Sequence, residues 1–189
     1  MKKALLTMTI VMFISFAAAA QDINIGAKAG LNLATLKPDL NDPAVRTSFH
    51  LGGVVEIPLL DELSLQPELF YSSQGVKDES DDDEEVRLNY LSIPVLAKYY
   101  VAEGLSIEAG PQIGFLLSAE VEDNGDTTDL KDTTKSTDFG FALGLGYKLE
   151  NGLNFAARYY FGSDVNDIES DTDKFKNNVF QLSIGYFFN

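Results

Sequence analysis

The sequence predicts an all-β fold, an eight-stranded antiparallel up-and-down transmembrane β-barrel, from three observations. Apolar residues alternate with small or polar residues through eight segments, which is the period-two pattern of a strand with one apolar face. Each segment has at least the roughly nine to eleven residues that a tilted strand needs to cross a bilayer. The connections between the segments alternate between short and long, as they do in barrels that span a membrane.

The eight predicted strands are separated by two kinds of connection. The short connections hold turn residues, of which Asn151-Gly152 is a strong hairpin signal. Because membrane barrels have short periplasmic turns and longer extracellular loops, we expect the long connections outside the cell. The predicted strands are 22–34, 47–58, 62–73, 89–101, 104–118, 137–149, 152–163 and 178–188, and the long connections are 35–46, 74–88, 119–136 and 164–177.

One face of every predicted strand is free of charge. No Asp, Glu, Lys, Arg or His occupies the odd positions of the first seven strands or the even positions of the eighth. The opposite face is rich in Gly and Ala, which suit a crowded barrel interior and make a poor solvent coat. We therefore favour a membrane barrel, with its apolar face towards lipid, over a soluble barrel with an apolar interior.

Aromatic residues lie near both ends of the apolar face, where their rings would meet the lipid headgroups. We predict two aromatic girdles around an aliphatic band. The outer girdle is Phe49, Tyr71, Phe139, Phe161 and Phe180, and the inner girdle is Tyr99, Tyr147, Tyr186 and Phe188.

The first twenty residues predict a cleaved secretory signal peptide, which leaves 21–189 as the barrel domain. Two lysines precede an apolar segment at 4–16, and the alanines at 18–20 supply the small residues that signal peptidase needs. An N-terminal membrane anchor is the alternative. The chain has no cysteine, which excludes disulfides and thiolate metal sites. Its formal charge of −15 argues against nucleic-acid binding.

Charged residues of both signs fall on the inward parity of the strands. An eight-stranded barrel has an interior just wide enough for side chains, and buried charges are tolerable only when they are paired. We therefore predict a structural salt-bridge network that plugs the lumen, with an ion or proton path through its carboxylates as the alternative. Its members are Lys28, Glu56, Glu68, Lys98, Glu108, Lys148 and Arg158.

Two further groups of residues are candidates for chemistry or irregular structure. His50, the only histidine, is predicted to face inward near the outer rim, where Ser48, Ser72 and Ser118 could lie at a similar height. No Gly-x-Ser-x-Gly motif or other spacing specifies a nucleophile, so we predict no enzyme and no catalytic residue, with a rim hydrolase as a minor alternative. Prolines lie inside three strands, where each removes a ladder hydrogen bond, and we expect bulges or strained pairing there. They are Pro67, Pro94 and Pro111.

Acidic residues concentrate in the segments 77–87, 120–132 and 164–173. Oxygen donors at this density could bind Ca²⁺, but the EF-hand pattern is absent and runs of like charge usually form solvated segments. We predict no metal site and no cofactor. Weak binding of a divalent cation, or of a cationic surface protein, is the alternative.

Three segments carry a resemblance to a known family. They read ELFYSSQG at 68–75, YLSIPVLAK at 90–98 and GLSIEAGPQIG at 104–114. The chain resembles the PorT-type outer-membrane β-barrel family over its whole mature length, and most specifically over 62–115. The resemblance implies an eight-stranded barrel in the outer membrane of a Gram-negative bacterium, and a few members of that family are linked to protein secretion.

These observations predict a monomeric, non-enzymatic protein of the outer membrane that presents acidic extracellular loops. Its expected partners are outer-membrane lipid and a surface protein or divalent cation at the loops. A narrow porin-like or transporter-like barrel and an accessory factor in protein secretion are the alternatives.

Overall fold

The computed structural model of the protein describes residues 23–37, 45–77, 85–123, 126–131, 134–164 and 176–188. The predicted signal peptide lies outside these residues. Within them, no helix has the length and apolar character that crossing a membrane requires. The described residues form nine strands: β1 (Asn24–Lys37), β2 (Arg46–Pro58), β3 (Leu63–Lys77), β4 (Glu85–Tyr100), β5 (Leu105–Asp123), β6 (Asp126–Asp129), β7 (Thr137–Lys148), β8 (Leu153–Asp164) and β9 (Lys176–Phe187).

Eight of the nine strands close a barrel, which confirms the predicted fold class. Their order is β4-β3-β2-β1-β9-β8-β7-β5, and pairing of β4 with β5 closes the circle. All of these pairings are antiparallel. The short strand β6 stands outside the circle and pairs only with the end of β5.

The two ends of the barrel differ in their connections. Turns at 59–62, 101–104 and 149–152 define what we call the short-turn end, and the other end is the long-loop end. Gly104 and Gly152 have φ of 73° and 87°, in the left-handed region that other residues rarely adopt. Glycine at these two positions therefore allows the chain to reverse direction tightly.

Side chains alternate between the lumen and the outer surface along each strand. Leu31, Ile107 and Leu143 are 53%, 43% and 47% exposed on the outside, whereas Phe70 and Leu96 are fully buried on the inside. The apolar face is therefore the outer one. An apolar exterior around a polar interior is the arrangement of a barrel that spans a membrane.

Three strands extend further than the sequence predicted, so part of the expected loops at 74–88 and 119–136 is strand. β3 and β5 continue to Lys77 and Asp123, and β4 begins at Glu85. The other strand ends lie close to their predicted positions. At the start of β4, Glu85 and Arg87 place charge on the odd, outward parity, so the charge-free alternation of this strand begins only beyond them.

A bulge at the long-loop end reverses the alternation of β5. Asn89 pairs with Ser118 and Tyr90 with Leu116, so Leu117 is an extra residue in β5. Beyond this point the odd residue Ala119 is fully buried. It joins an inward cluster that we call the apolar cap, formed by Leu88, Tyr90, Leu116 and Ala119 with Val76, Val86 and Leu130 packed against it.

The three prolines interrupt the strand pairing, as expected, but the alternative expectation of bulges at these positions is wrong. The pairing skips two positions beside each of Pro67, Pro94 and Pro111, but the register on the two sides of each gap is the same. The register shifts lie elsewhere, between Asn89 and Tyr90 and between Phe161 and Asp164. Proline therefore removes local pairing here without adding a residue to the strand.

Candidate functional site

The seven inward charges form one connected set, which we call the lumen charge network. Each comes from a different strand, because inward positions of neighbouring strands meet around the barrel axis. All are buried except Lys148, which is half-buried at the short-turn end. The contributing pairs of strand and residue are β1 with Lys28, β2 with Glu56, β3 with Glu68, β4 with Lys98, β5 with Glu108, β7 with Lys148 and β8 with Arg158.

Glu68 lies at the centre of the network and accepts hydrogen bonds from three residues. The Arg158 guanidinium binds both of its oxygens, Nη1 to Oε2 and Nη2 to Oε1, at 3.0 Å each. Lys28 Nζ donates to Oε2 at 2.7 Å, and Gln66 Nε2 donates to Oε1 at 2.7 Å. A two-pronged guanidinium contact is the strongest geometry available to a carboxylate, so this charge is fully compensated.

Glu108 connects Arg158 to the lower part of the network. Arg158 Nη2 donates to Glu108 Oε2 at 2.7 Å, and Lys98 Nζ lies 3.8 Å from Glu108 Oε1. Space for this carboxylate exists because Gly146 has no side chain: an added Cβ would lie 3.3 Å from Glu108 Cδ. The longer Lys98 contact is the weakest connection in the set.

Glu56 gathers the charges nearest the short-turn end. It accepts from Lys98 Nζ at 3.0 Å, from Lys148 Nζ at 3.1 Å and from the Tyr100 hydroxyl at 2.9 Å. Lys148 Nζ also lies 4.7 Å from the centre of the Phe187 ring, a cation–π distance. The Lys148 side chain borders an open cavity of about 440 Å³, which Glu103, Tyr147, Leu149, Glu150 and Asn151 also line.

Two contacts of the network cross the full width of the barrel. In the strand order, β8 is four strands away from β3 in either direction, and β7 is likewise opposite β2. The Arg158–Glu68 and Lys148–Glu56 pairs therefore join opposite walls. The four cations and three carboxylates thus form ion pairs from wall to wall, from mid-height to the short-turn end.

A neutral polar layer lies on the long-loop side of the charges. His50 Nδ1 lies 2.8 Å from Asn32 Oδ1, and His50 Nε2 lies 2.9 Å from Ser183 Oγ. Both His50 and Ser183 are register partners of Gly30, and an added Cβ on Gly30 would lie 2.6 Å from His50 Cε1. Asn32 and Ser183 were not predicted as neighbours of His50, although both lie on the inward parity beside Gly30, which was the signal that could have identified them.

None of the three predicted serines is the residue whose hydroxyl lies at hydrogen-bond distance from the His50 ring, which is Ser183. Ser48 Oγ donates to the Ser73 carbonyl at 2.6 Å, and Ser72 Oγ accepts from Asn32 Nδ2 at 3.0 Å. Ser118 does not face the lumen, because the bulge turns it outward, where Asn89 Nδ2 donates to it at 2.9 Å. The serine, imidazole and amide around His50 have the order of a hydrolytic triad, but His50 and Asn32 are fully buried.

The polar layer continues across the lumen to a buried carboxylate. Asp138 Oδ1 accepts from the Ser163 backbone N–H and from Ser163 Oγ at 3.0 Å each, and Oδ2 accepts from Asn177 Nδ2 at 2.9 Å. Asn177 Nδ2 also donates to Gln74 Oε1, and Gln74 Nε2 donates to Ser72 Oγ at 2.9 Å. These contacts join Asp138 to the residues around His50 through neutral side chains.

The nine aromatic residues predicted as girdles all lie on the outer surface. Tyr71 is half-buried against the Phe49 ring, with ring centres 5.7 Å apart, and the others are exposed. Tyr99, Tyr147, Tyr186 and Phe188 lie near the short-turn end, and Phe49, Tyr71, Phe139, Phe161 and Phe180 lie towards the long-loop end.

A second group of charged residues lies at the long-loop end, beyond the aromatic rows. Arg87 forms ion pairs with Glu85 and Glu122, and Arg46 Nε donates to Glu85 Oε2 at 3.2 Å. Partial burial raises the pKa of Glu85, but hydrogen bonds from Arg87 and Arg46 outweigh it and lower that pKa below its usual value. Residues 78–84 and 165–175, which hold much of the predicted acidic loops, lie outside the described residues. Within the described part of the chain, no three His, Cys, Asp or Glu side chains are grouped to hold a metal ion.

Comparison with solved structures identifies membrane barrels of the same fold. Neisserial surface protein A from Neisseria superposes with a TM-score of 0.56 at 12% identity, covering 88% of this chain and 97% of that chain. Ail, the attachment invasion locus protein of Yersinia pestis, superposes with a TM-score of 0.55 at 16% identity, covering 87% and 98%. Ail in complex with the heparin analogue sucrose octasulfate gives 0.52 at 15% identity, covering 89% and 100%.

No curated protein matches the sequence. A family model described as outer membrane protein beta-barrel domain matches residues 19–168, which is most of the chain. The description of this family points to the outer membrane, and the similar structures show the same barrel fold. The chain therefore belongs to the outer membrane protein beta-barrel domain family.

Proposed function

We propose that the protein is a sealed, non-enzymatic barrel of the outer membrane that presents acidic extracellular loops to a cationic partner. In this arrangement the short-turn end faces the periplasm and the long-loop end faces outward, as in other barrels of this architecture. The barrel acts as a monomer, and residues 1–20 are a signal peptide that is removed during export. Within the family, we assign the chain to the PorT-type group on the three segments quoted above.

The observation that carries the proposal is the occlusion of the lumen. Glu68 and Glu108 are buried and both accept hydrogen bonds from the buried Arg158 near mid-height, and the apolar cap covers the inner face of β3, β4 and β5 at the long-loop end. Ion conduction needs a continuous wet path, whereas these side chains occupy the axis and satisfy each other. The burial of His50, which is 1% exposed, argues against a hydrolase at this residue, because a general base must come within hydrogen-bond reach of its substrate.

Conductance in planar bilayers tests the seal. We expect purified protein to give no large, steady current, and a large open barrel inserted in the same lipid serves as the positive control. Arg158→Ala removes the central guanidinium, and we expect its conductance to stay low because Lys28, Gln66 and Glu108 still fill the cross-section. Steady porin-like currents through the wild-type protein would support the narrow-porin alternative instead.

Charge supports a cationic partner for the loops. The Ail structure shows that protein with sucrose octasulfate, a polyanion. This chain carries a formal charge of −15 with acids concentrated in its long connections, so a polyanion would be repelled and a basic protein attracted.

Binding to the whole protein in nanodiscs tests the loop proposal. We expect a basic protein such as lysozyme to bind at low ionic strength and sucrose octasulfate not to bind. A variant with Asp81, Asp82 and Asp83 replaced by Asn should bind lysozyme more weakly, because each change removes one negative charge. Calorimetry with Ca²⁺ distinguishes a divalent cation from a basic protein as the partner, because heat at millimolar Ca²⁺ would indicate a cation site. Equal lysozyme binding by the wild-type protein and the Asn variant would contradict the proposal.

A role in protein secretion is the second candidate, because the PorT-type resemblance implies it for a few members. A deletion strain with an intact outer membrane and a secretion defect would support it. Normal secretion in that strain would leave surface interaction as the function.

A further inference from the structure

In the middle of the barrel wall, gaps in the strand pairing occur only between three neighbouring pairs of strands. Between β2 and β3 the pairing runs from Val54–Glu68 to Ile57–Leu65 and omits the two rungs at Pro67. Every pairing among β1, β9, β8 and β7, and that of β5 with β7, is continuous through the middle of the wall. The wall is therefore asymmetric, with one interrupted side and one continuous side.

The other two gaps continue the first across the next strands. Between β3 and β4 the rungs at Pro94 are missing, and between β4 and β5 the rungs at Pro111 are missing. Pro67 and Val95 are register partners, and extending the β4–β5 register across its gap puts Val95 opposite Pro111. We call this part of the wall, residues 65–69, 93–97 and 109–112, the proline panel.

The panel lies at the depth where lost hydrogen bonds matter most. On β4 it falls between Tyr99, near the short-turn end, and Leu91, the register partner of Tyr71. Proline has no N–H to donate, and lipid supplies no donor to the carbonyls left opposite it. The panel therefore has weaker backbone pairing than the rest of the wall at the same depth.

The central carboxylate of the lumen charge network is part of this panel. Glu68 follows Pro67, and the register places it opposite Pro94, in the gap between β3 and β4. Arg158, on the continuous wall opposite, binds both oxygens of Glu68 at 3.0 Å, and Lys28 on β1 binds Oε2 at 2.7 Å. These side chains join the weakly paired panel to strands whose backbone pairing is complete.

We propose that the proline panel is a lateral seam that opens locally within the folded barrel, and that the Arg158–Glu68 pair is the latch that holds it closed. Opening separates β3 and β4 at the interrupted rungs while the other side of the barrel stays paired. The latch works from inside the lumen, because the wall itself lacks the hydrogen bonds to resist opening at this depth.

Amide hydrogen exchange on the full chain in nanodiscs tests the seam. In the wild-type protein we expect the amides of Gln66, Glu68, Leu69, Ile93 and 95–97 to exchange at least about ten-fold faster than amides of 156–159 and 181–184 in the continuous wall, since unpaired or locally opening amides lose protection. Equal protection of the two sides would overturn the proposal without any variant being needed.

Two variants separate the seam from the latch. Pro94→Ala restores an N–H opposite the Glu68 position, and we expect exchange across β3 and β4 to slow towards that of the continuous wall. Arg158→Met should speed exchange in the panel by about ten-fold more than in β9. Lys148→Met is the matched control, because it removes a cation that contacts Glu56 and not Glu68, and it should leave the panel unchanged. An equal rise in all strands for Arg158→Met, or the same panel response to Lys148→Met, would refute the latch.

Discussion

Replacing Arg158 with Met tests whether local pairing or overall charge holds the lumen together. The network has four cations and three carboxylates, so this change makes its formal charge zero. An argument from net charge therefore predicts no loss of stability. Pairing predicts a large loss, because Arg158 makes three hydrogen bonds to the buried oxygens of Glu68 and Glu108.

The contacts that remain in the variant set the expected magnitude. Hydrogen bonds to charged groups contribute about 1.5–3 kcal/mol each, but Glu68 keeps Lys28 and Gln66 as donors. Glu108 keeps only Lys98, at 3.8 Å. We therefore expect the free energy of unfolding to fall by about 3–5 kcal/mol, the range seen when one partner of a buried ion pair is removed.

Urea unfolding from lipid vesicles measures this change. The chain has no Trp, so tyrosine fluorescence and circular dichroism follow the transition, and linear extrapolation gives the free energy of unfolding. Lys148→Met is the control, with an expected loss of about 1 kcal/mol or less, since its side chain is 22% exposed and Glu56 keeps Lys98 and Tyr100. A loss for Arg158→Met no larger than that of the control would refute the argument from pairing.

Four further outcomes follow from the same structure. Gly30→Val should lower the free energy of unfolding by about 1–3 kcal/mol or more in the same assay, because its Cβ would meet the Leu182 backbone carbonyl and the His50 ring. Gly152→Ala should cost about 1–2 kcal/mol, because its φ of 87° is unfavourable for alanine. Ser183 should not react with a fluorophosphonate probe, since the imidazole beside it is buried, and labelling seen by mass spectrometry would reopen the hydrolase alternative. Folding lowers the pKa of Glu85, so its ionised carboxylate stabilises the β4–β5–β6 extension at pH values above the usual glutamate pKa. This stabilisation is lost as the pH falls through the lowered pKa. The amide signals of β6 should therefore broaden in acid in the wild-type protein and change less in Glu85→Gln.

Residue parity predicted much of the fold and the membership of the lumen charge network. In a strand the side-chain period is two, so Glu68 and Arg158 could be assigned to the inside before any contact was known. Their pairing across the lumen depends on which strands are opposite, and this depends on closure by β4 and β5. Parity alone does not show which strands lie opposite each other across the lumen.

The predicted inward and outward orientations are wrong where parity changes within a strand. Leu117 adds one residue to β5, so Ser118 faces outward and Ala119 inward, the reverse of what the preceding residues predict. A bulge has no fixed sequence signal, because any residue can occupy its extra position when the partner strand tolerates the bend. The prolines misled in the opposite way, since each removes a donor without shifting the register.

The extra residue in β5 has a consequence for how the protein sits in its membrane. On the short-turn side of Leu117 the outer surface is apolar, as at Phe115. On the long-loop side of Leu117 the same surface carries the polar side chains of Ser118, Asn89 and Arg87. The inserted residue thus marks the boundary between the apolar and the polar part of the outer surface on this side of the barrel. Moving that position along β5 by two residues would raise or lower the whole molecule by about 6–7 Å measured along the strand, the rise of two strand residues.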